Sequence, residues 1–319
     1  MDDMNDVDHF EVLMLAMLNA LNDEGNYLVP VESRNLDSRH ARIAYNVILR
    51  SKSITPKSND PDAYLGSMDQ FFFAAIHVCQ SLISSHSFAD DHCRIMAIAC
   101  DMFYRLDGSV NDRWGPPLLP VHCTEIWQLS KKMFTPYLRP GTNYNQVPSE
   151  RSEKAQLFLL DWEKQNSFLS HLVSRGYRGG LYLGLWEIGR ALEHPIGEGC
   201  TQLMRCRVRV AVEWIMNCGD LLLTAMSDQK DSPNKAMRPG PIYGEGLPYL
   251  SPDRWEFWKK RLAEFQVKFH LHDETRERVA TALKLMQAPS EWEKRNSSLE
   301  RAIKEQLEIV ATEERSKAT

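Results

Sequence analysis

An irregular all-α bundle or helical array, with about ten or more helices, is the fold class this 319-residue chain predicts. Three observations lead there. Apolar residues recur at three- and four-residue spacing along most of the chain. Alternating runs are nearly absent: Arg205-Cys206-Arg207-Val208-Arg209-Val210 is the one clear case, and its flanks are helical. Breaks rich in Gly, Pro and Asn punctuate the stripes at irregular intervals, without the fixed period of a solenoid.

Taken in order, Phe10, Leu13, Met14, Met17, Leu18 and Leu21 form the first stripe, closed by Gly25. Ile43, Val47 and Ile48 mark a second helix ending near Ser51, and the polar stretch 51–61, with two prolines, reads as a loop. Phe71, Phe72, Ala75, Ile76, Cys79 and Leu82 give a third. Ile95, Ala99, Met102, Phe103 and Leu106 give a fourth, with Asp90 or Asp91 as its cap. Gly115-Pro116-Pro117 and Pro120 precede a fifth helix through Ile126, Leu129 and Met133, and 135–148 is a long loop. Leu157, Leu160, Trp162, Phe168, Leu169 and Leu172 continue the pattern. Glycines at 176, 179 and 180 then interrupt it. Leu181, Leu185, Ile188 and Leu192 form a stripe that stops at Pro195, and another helix runs from Leu203 to Leu223.

After a loop at 228–248, Ser251-Pro252-Asp253 opens a helix by three agreeing rules: a hydroxyl N-cap, proline at the first helical position, and an acid at the positive helix end. Trp255, Trp258, Leu262, Phe265 and Phe269 share its face. Asp273 is expected to cap the next helix, with Val279, Leu283 and Met286 inward. Ser290 and Glu293 form a capping-box pattern for a charged last helix. The domain reading is a single α-helical domain over 1–319, with halves at 1–140 and 150–290 and the charged helix at 291–317.

Bulk numbers bound the function. Apolar residues make up 43% and charged residues 25%, which is the composition of a folded chain. The net charge of −5 supplies no basic field to recruit nucleic acid or anionic lipid. Seven cysteines without a Cys-x-x-Cys pair mostly sit in apolar helical patterns and favour a reducing compartment. The acidic start lacks a signal-peptide n-region, and no apolar run reaches the roughly 18 residues of a membrane span. The expectation is a soluble protein of the cytoplasm, with the nucleus as an alternative.

The chemistry-bearing residues give no specific catalytic spacing. His86, Asp90, Asp91 and His92 lie close together, as do His270, His272, Asp273 and Glu274, but helix capping explains the acids and neither set matches a zinc motif. Asp90-Asp91-His92-Cys93-Arg94 has Arg where the Asp-Asp-x-x-Asp motif of a class I terpene cyclase needs its last acid. On a helix Arg205 and Arg209 share a face, salt-bridged to acids such as Glu198 and Glu213, or else forming an anion site. No phosphate loop or nucleophile elbow is present. No metal and no cofactor are expected.

One stretch carries a resemblance. Arg238-Pro239-Gly240-Pro241, an acidic-Gly turn, and then Ser251 to Lys259 with Arg254-Trp255 and Phe257-Trp258 resemble a fungal family known only as domain of unknown function 3632. Leu185-Trp186-Glu187-Ile188-Gly189-Arg190-Ala191-Leu192-Glu193 is similar to the family's Leu-Trp-x-x-Arg-x-Ala-Leu-Glu element, with its Arg displaced by one place. Ala211 to Gly219, with Trp214-Ile215, is similar to a third element. The resemblance covers roughly 180–290. It implies a fungal, helical, intracellular protein and carries over no catalytic residue.

The reading that follows is a helical binding or interaction protein without metal or nucleotide. Its alternative is a cofactor-independent accessory enzyme of fungal metabolism, with secondary metabolism as one setting: a cyclase, isomerase or hydrolase acting on an apolar small molecule. The sequence leaves catalysis open. The candidate ligand-binding residues are Trp186, Arg190, Trp214, Trp255 and Trp258, which either line a pocket or fill the core. Partners under this reading are an apolar small molecule or a protein, not nucleic acid or membrane. The charged C-terminal helix offers a route to a homo-oligomer.

Overall fold

Nearly every predicted stripe is a helix. The computed structural model describes residues 3–25, 36–54, 61–82, 86–106, 153–177, 180–195, 201–227, 238–244, 246–268 and 271–318. Among these are ten α-helices and no strand. None of the described helices is long and apolar enough to cross a membrane. The predicted fifth helix and the loop at 135–148 lie outside the described residues. The chain packs as two units, one of residues 1–119 with 294–319 and one of residues 120–293.

The first unit contains α1 (Asp3–Gly25), α2 (Leu36–Ile54), α3 (Pro61–Ser81) and α4 (His86–Leu106). α1 packs on α2 and α3, and α4 packs on α2 and α3. Leu13, Met17 and Leu21 meet Ile43, Val47 and Ile48 in its core. Phe71 and Phe103 stack with centroids 4.5 Å apart. Two expectations are corrected here. α2 does not end at Ser51 but runs to Ile54, because Ser51 is buried and its hydroxyl donates to the Val47 carbonyl one turn back. α4 starts at His86, so Asp90 and Asp91 lie inside it rather than at its cap. Arg94 instead ties α4 to α2 through Asp37 at 2.6 Å.

Beside that ion pair His40 is fully buried, and neither ring nitrogen has a hydrogen bond; Asp91 Oδ1 lies 3.8 Å from Nε2. Burial, aided by Arg94, pushes the imidazole down to about 3. In the unfolded chain it titrates near 6.5. Between those values the unfolded state holds more protons, so stability is lost as pH falls from about 6.5 toward 3. His40→Leu should therefore gain on the wild type by roughly 1.4 kcal/mol per pH unit across that window. Urea unfolding at several pH values checks this, and parallel pH profiles for the two proteins would refute it.

The second unit contains α5 (Glu153–Ser174), α6 (Leu181–Leu192), α7 (Thr201–Ser227), α8 (Pro252–Lys268), α9 (Asp273–Gln287) and the first residues of α10 (Ser290–Ala318). α7 is its centre and packs against the other four helices. The α5–α7 seam is polar. Cys206 donates to the Leu159 carbonyl, Arg209 to Glu163, Trp214 to Asn166 and Asn217 to Ser170, at sequence separations of 46 to 48. A constant separation means the two helices run parallel in fixed register, as helices one and three of an up-down-up array must. From Trp162 to Val173 every residue of α5 is buried, including Glu163, Lys164, Gln165, Asn166, Ser167, Ser170 and His171. A buried polar group costs little only when it is paired, and the seam supplies the partners.

Glu213 of α7 collects the middle of this network. Its Oε1 accepts from Asn217 at 2.8 Å and from Ser167 at 3.3 Å, with His171 Nε2 at 3.6 Å, while Oε2 accepts from Arg278 of α9. Helix starts are shifted by one residue from two expectations. His272, not Asp273, is the N-cap of α9 and makes no side-chain cap bond; Asp273 pairs with Arg276 instead. α10 already includes Ser290, so that serine is helical rather than a cap.

Trp292, at the start of α10, is buried against α7. Its indole N–H donates to the Met216 carbonyl at 3.0 Å, and a Cβ on Gly219 would sit 2.1 Å from its ring. Only glycine admits the indole. Gly219→Ala should cost about 1–3 kcal/mol by overpacking. Trp292→Leu in the same chain should recover part of that loss, measured by chemical unfolding; a simple sum of the two penalties would show that the clash is not the cause.

Candidate functional site

The residues that carry the family resemblance converge on one buried carboxylate. Glu193 ends α6 with no exposed surface. Its Oε1 accepts from Arg254 Nε and from Trp258 Nε1, each at 2.6 Å; its Oε2 accepts from Arg254 Nη2 at 3.0 Å and from the Gly240 backbone N–H at 2.6 Å. The Glu193 carbonyl also accepts from the Ile242 N–H. Arg254 Nη1 donates to the Tyr249 carbonyl. A Cβ on Gly240 would lie 2.7 Å from Glu193, so the Arg-Pro-Gly-Pro turn needs its glycine for close approach.

An ionised carboxylate offers about four lone-pair sites, and here four donors fill them. The clasp has no capacity left for a ligand. It joins the end of α6, the turn at 238–244 and the first turn of α8. That first turn is capped as predicted: Ser251 Oγ accepts from the Arg254 N–H at 3.2 Å and also meets the Tyr243 hydroxyl.

The candidate tryptophans contact protein groups. Trp214 is fully buried and bonds Asn166. Trp258 is fully buried under the Arg254 guanidinium and bonds Glu193. Trp255 is buried between Trp258 and Trp292, with both ring centroids 6.2 Å away. Trp186 is buried at its edge of α6, and the Arg190 guanidinium stands 5.0 Å over its ring. Of the candidate residues, the structure brings Trp255 together with Trp258 and Trp186 together with Arg190. Leu262 and Phe265 complete the buried face of α8, while Phe269 lies outside the described residues.

A cavity does open in this unit, at the other end of the polar seam. It has a volume of about 260 Å³ and lies between α5, α7 and the start of α9. Leu159 and Leu160 give it an apolar wall; Gln156, Gln202, Arg205, Arg209 and His272 give the polar lining. Arg209 is held from behind by Glu163, whose carboxylate is almost wholly buried, through Nε and Nη2. Among the described residues Nη1 has no hydrogen-bond partner. Burial disfavours the Arg209 charge, but Glu163, with Cys206 and Glu274, more than offsets it. Arg205 Nη1 lies 3.1 Å from His272 Nε2. Guanidinium has no acceptor, so the imidazole nitrogen is the acceptor. Gln202 Oε1 is buried with no partner.

The sequence singled out Arg205 and Arg209 as one helical face but assigned the wrong acid: Arg209 pairs with Glu163, and Glu213 takes Arg278. Glu198 lies outside the described residues. Arg207 points elsewhere, as expected, and is buried with its Nε unbonded. Leu159, Leu160, Gln156 and Gln202 carried no local signal. The nearby thiols are poor nucleophiles, since burial raises both Cys206 and Cys218 well above the usual thiol range. Among the described residues no group of three His, Cys, Asp or Glu is placed to hold a metal.

The described residues define an all-α protein in which Glu193, Gly240, Arg254 and Trp258 build a buried clasp. Residues 112–262 match a family described as "Protein of unknown function (DUF3632)". The match includes Trp186, Glu193, Trp214, Gly219, Gly240, Arg254 and Trp258, and so bears out the resemblance read from those motifs. It begins well before position 180 and stops before α9. No curated protein and no solved structure matches the chain.

Glu193→Gln should lower stability by about 3–5 kcal/mol, because it leaves Arg254 buried without its counter-charge. The double variant Glu193→Gln/Arg254→Met should lose much less than the sum of the singles. Chemical unfolding of the four proteins measures the coupling, and additive losses would contradict the clasp.

Proposed function

We propose that this chain is a small-molecule binding protein whose site is the groove between α5, α7 and the start of α9. One observation carries the reading: a cavity of about 260 Å³ between these helices sets two guanidinium groups, of Arg205 and Arg209, beside the apolar wall of Leu159 and Leu160. Glu193 has its four acceptor positions filled by protein donors, so the clasp offers a ligand nothing. Among the described residues, Arg209 Nη1 and Gln202 Oε1 have no hydrogen-bond partner, and both residues line the cavity. An apolar wall with a few convergent polar groups is the usual composition of a ligand site. The volume of about 260 Å³ falls below the roughly 300–1,000 Å³ of drug-sized pockets, so the ligand is small.

Ligand-observed NMR with a fragment library tests the reading. Fragments should bind the wild type, and Leu160→Trp, which fills the groove, should abolish most of that binding while leaving the melting temperature near its original value. Binding unchanged in Leu160→Trp, or no fragment binding at all, would overturn it.

A further inference from the structure

We infer that the groove takes a small organic monocarboxylate, its head group on Arg205 and Arg209 and its apolar body on Leu159 and Leu160. This deepens the proposed function and rests on the groove being a ligand site.

The head group follows from the donors. Arg209 is fixed by two nitrogens on Glu163, so Nη1 presents its donors without further ordering. Arg205 sits one turn earlier on α7 and lines the same cavity. Its position is set by the contact to His272, the residue that opens α9. Two guanidinium groups on one helix face suit a planar oxyanion, which each engages through N–H donors. Gln202 adds a carboxamide to the same lining.

Charge limits the ligand further. Glu163 pairs with Arg209 and Glu274 also acts on it, so the cationic field at the groove is partly offset. A monoanion held by direct hydrogen bonds sets less charge against those acids than a dianion such as a phosphate monoester does. Leu159 and Leu160 then require an apolar body, which inorganic anions lack.

The test uses the full chain and matched probes: aliphatic and aryl monocarboxylates of roughly four to nine carbons, their carboxamides, and inorganic phosphate. Calorimetry should show at least one acid binding about tenfold or more tightly than its amide. Arg205→Gln and Arg209→Lys should each erase that preference while changing amide binding less than about twofold. Arg209→Lys keeps the charge opposite Glu163, and if it still unfolds, Arg205→Gln alone decides the point. Equal binding of acid and amide, both lost in Leu160→Trp, would overturn the carboxylate and leave the groove as a site. Phosphate competing as strongly as the acids would overturn the organic body. No binding by any probe, together with no fragment binding, would end both readings.

Discussion

A single buried carboxylate sets the geometry of the second unit. Glu193 fixes where α6 ends, where the Arg-Pro-Gly-Pro turn lies, and how α8 begins. Removing a carboxylate from water costs several kcal/mol, and Coulomb attraction alone repays this poorly. What repays it here is completeness: a bidentate guanidinium, an indole N–H and a backbone N–H leave no acceptor site empty. The turn cannot shift without losing the Gly240 bond, and α8 cannot rotate without losing the donors of Arg254 and Trp258. The apolar face of α8 is thereby aimed inward, and Trp255 meets Trp292. Burying such rings, at about 150–250 Å² each, supplies the hydrophobic term. The clasp supplies the direction.

The helices were legible in the sequence because their signals are local. Ser251 caps α8 through a bond three residues long, so Ser-Pro-Asp before an aromatic stripe reads correctly. The failures have the same logic. Ser51 looked like a terminus because a polar stretch with two prolines follows it, but its back-bond to Val47 keeps it helical. Asp273 looked like a cap because acids favour helix starts, and it does sit in the first turn, one place past His272. The clasp was not legible: Glu193 and Arg254 are 61 positions apart, and no pattern in either helix says they meet. The motif marked the right residues without revealing that they bond to one another.

α5 shows a second limit. Hydropathy assigns its polar residues to the surface, yet twelve consecutive positions, 162–173, are buried. Amphipathicity is a poor guide when a helix is enclosed and its polar groups are paired across a seam. The pairing has a register, 46 to 48 residues, that emerges only once α6 has returned the chain to run α7 parallel to α5. Leu157, which belongs to the apolar stripe by spacing, is more than half exposed.

The clasp and the groove differ in saturation, not in residue type. Arginines occur in both. Arg254 faces a buried carboxylate whose other acceptors are taken. Arg209 is a rung of the α5–α7 seam and also a wall of the cavity. Its pairing with Glu163 does two things at once. It satisfies a buried acid in the core, and it holds the guanidinium so that its remaining edge is preorganised, which removes part of the entropy cost of binding. A cation free to move would bind an anion more weakly for the same contact. A cation with every donor used would not bind at all. Arg209 lies between these limits, which is why the open end of the seam, rather than the tryptophan-rich clasp, is where ligand chemistry is expected.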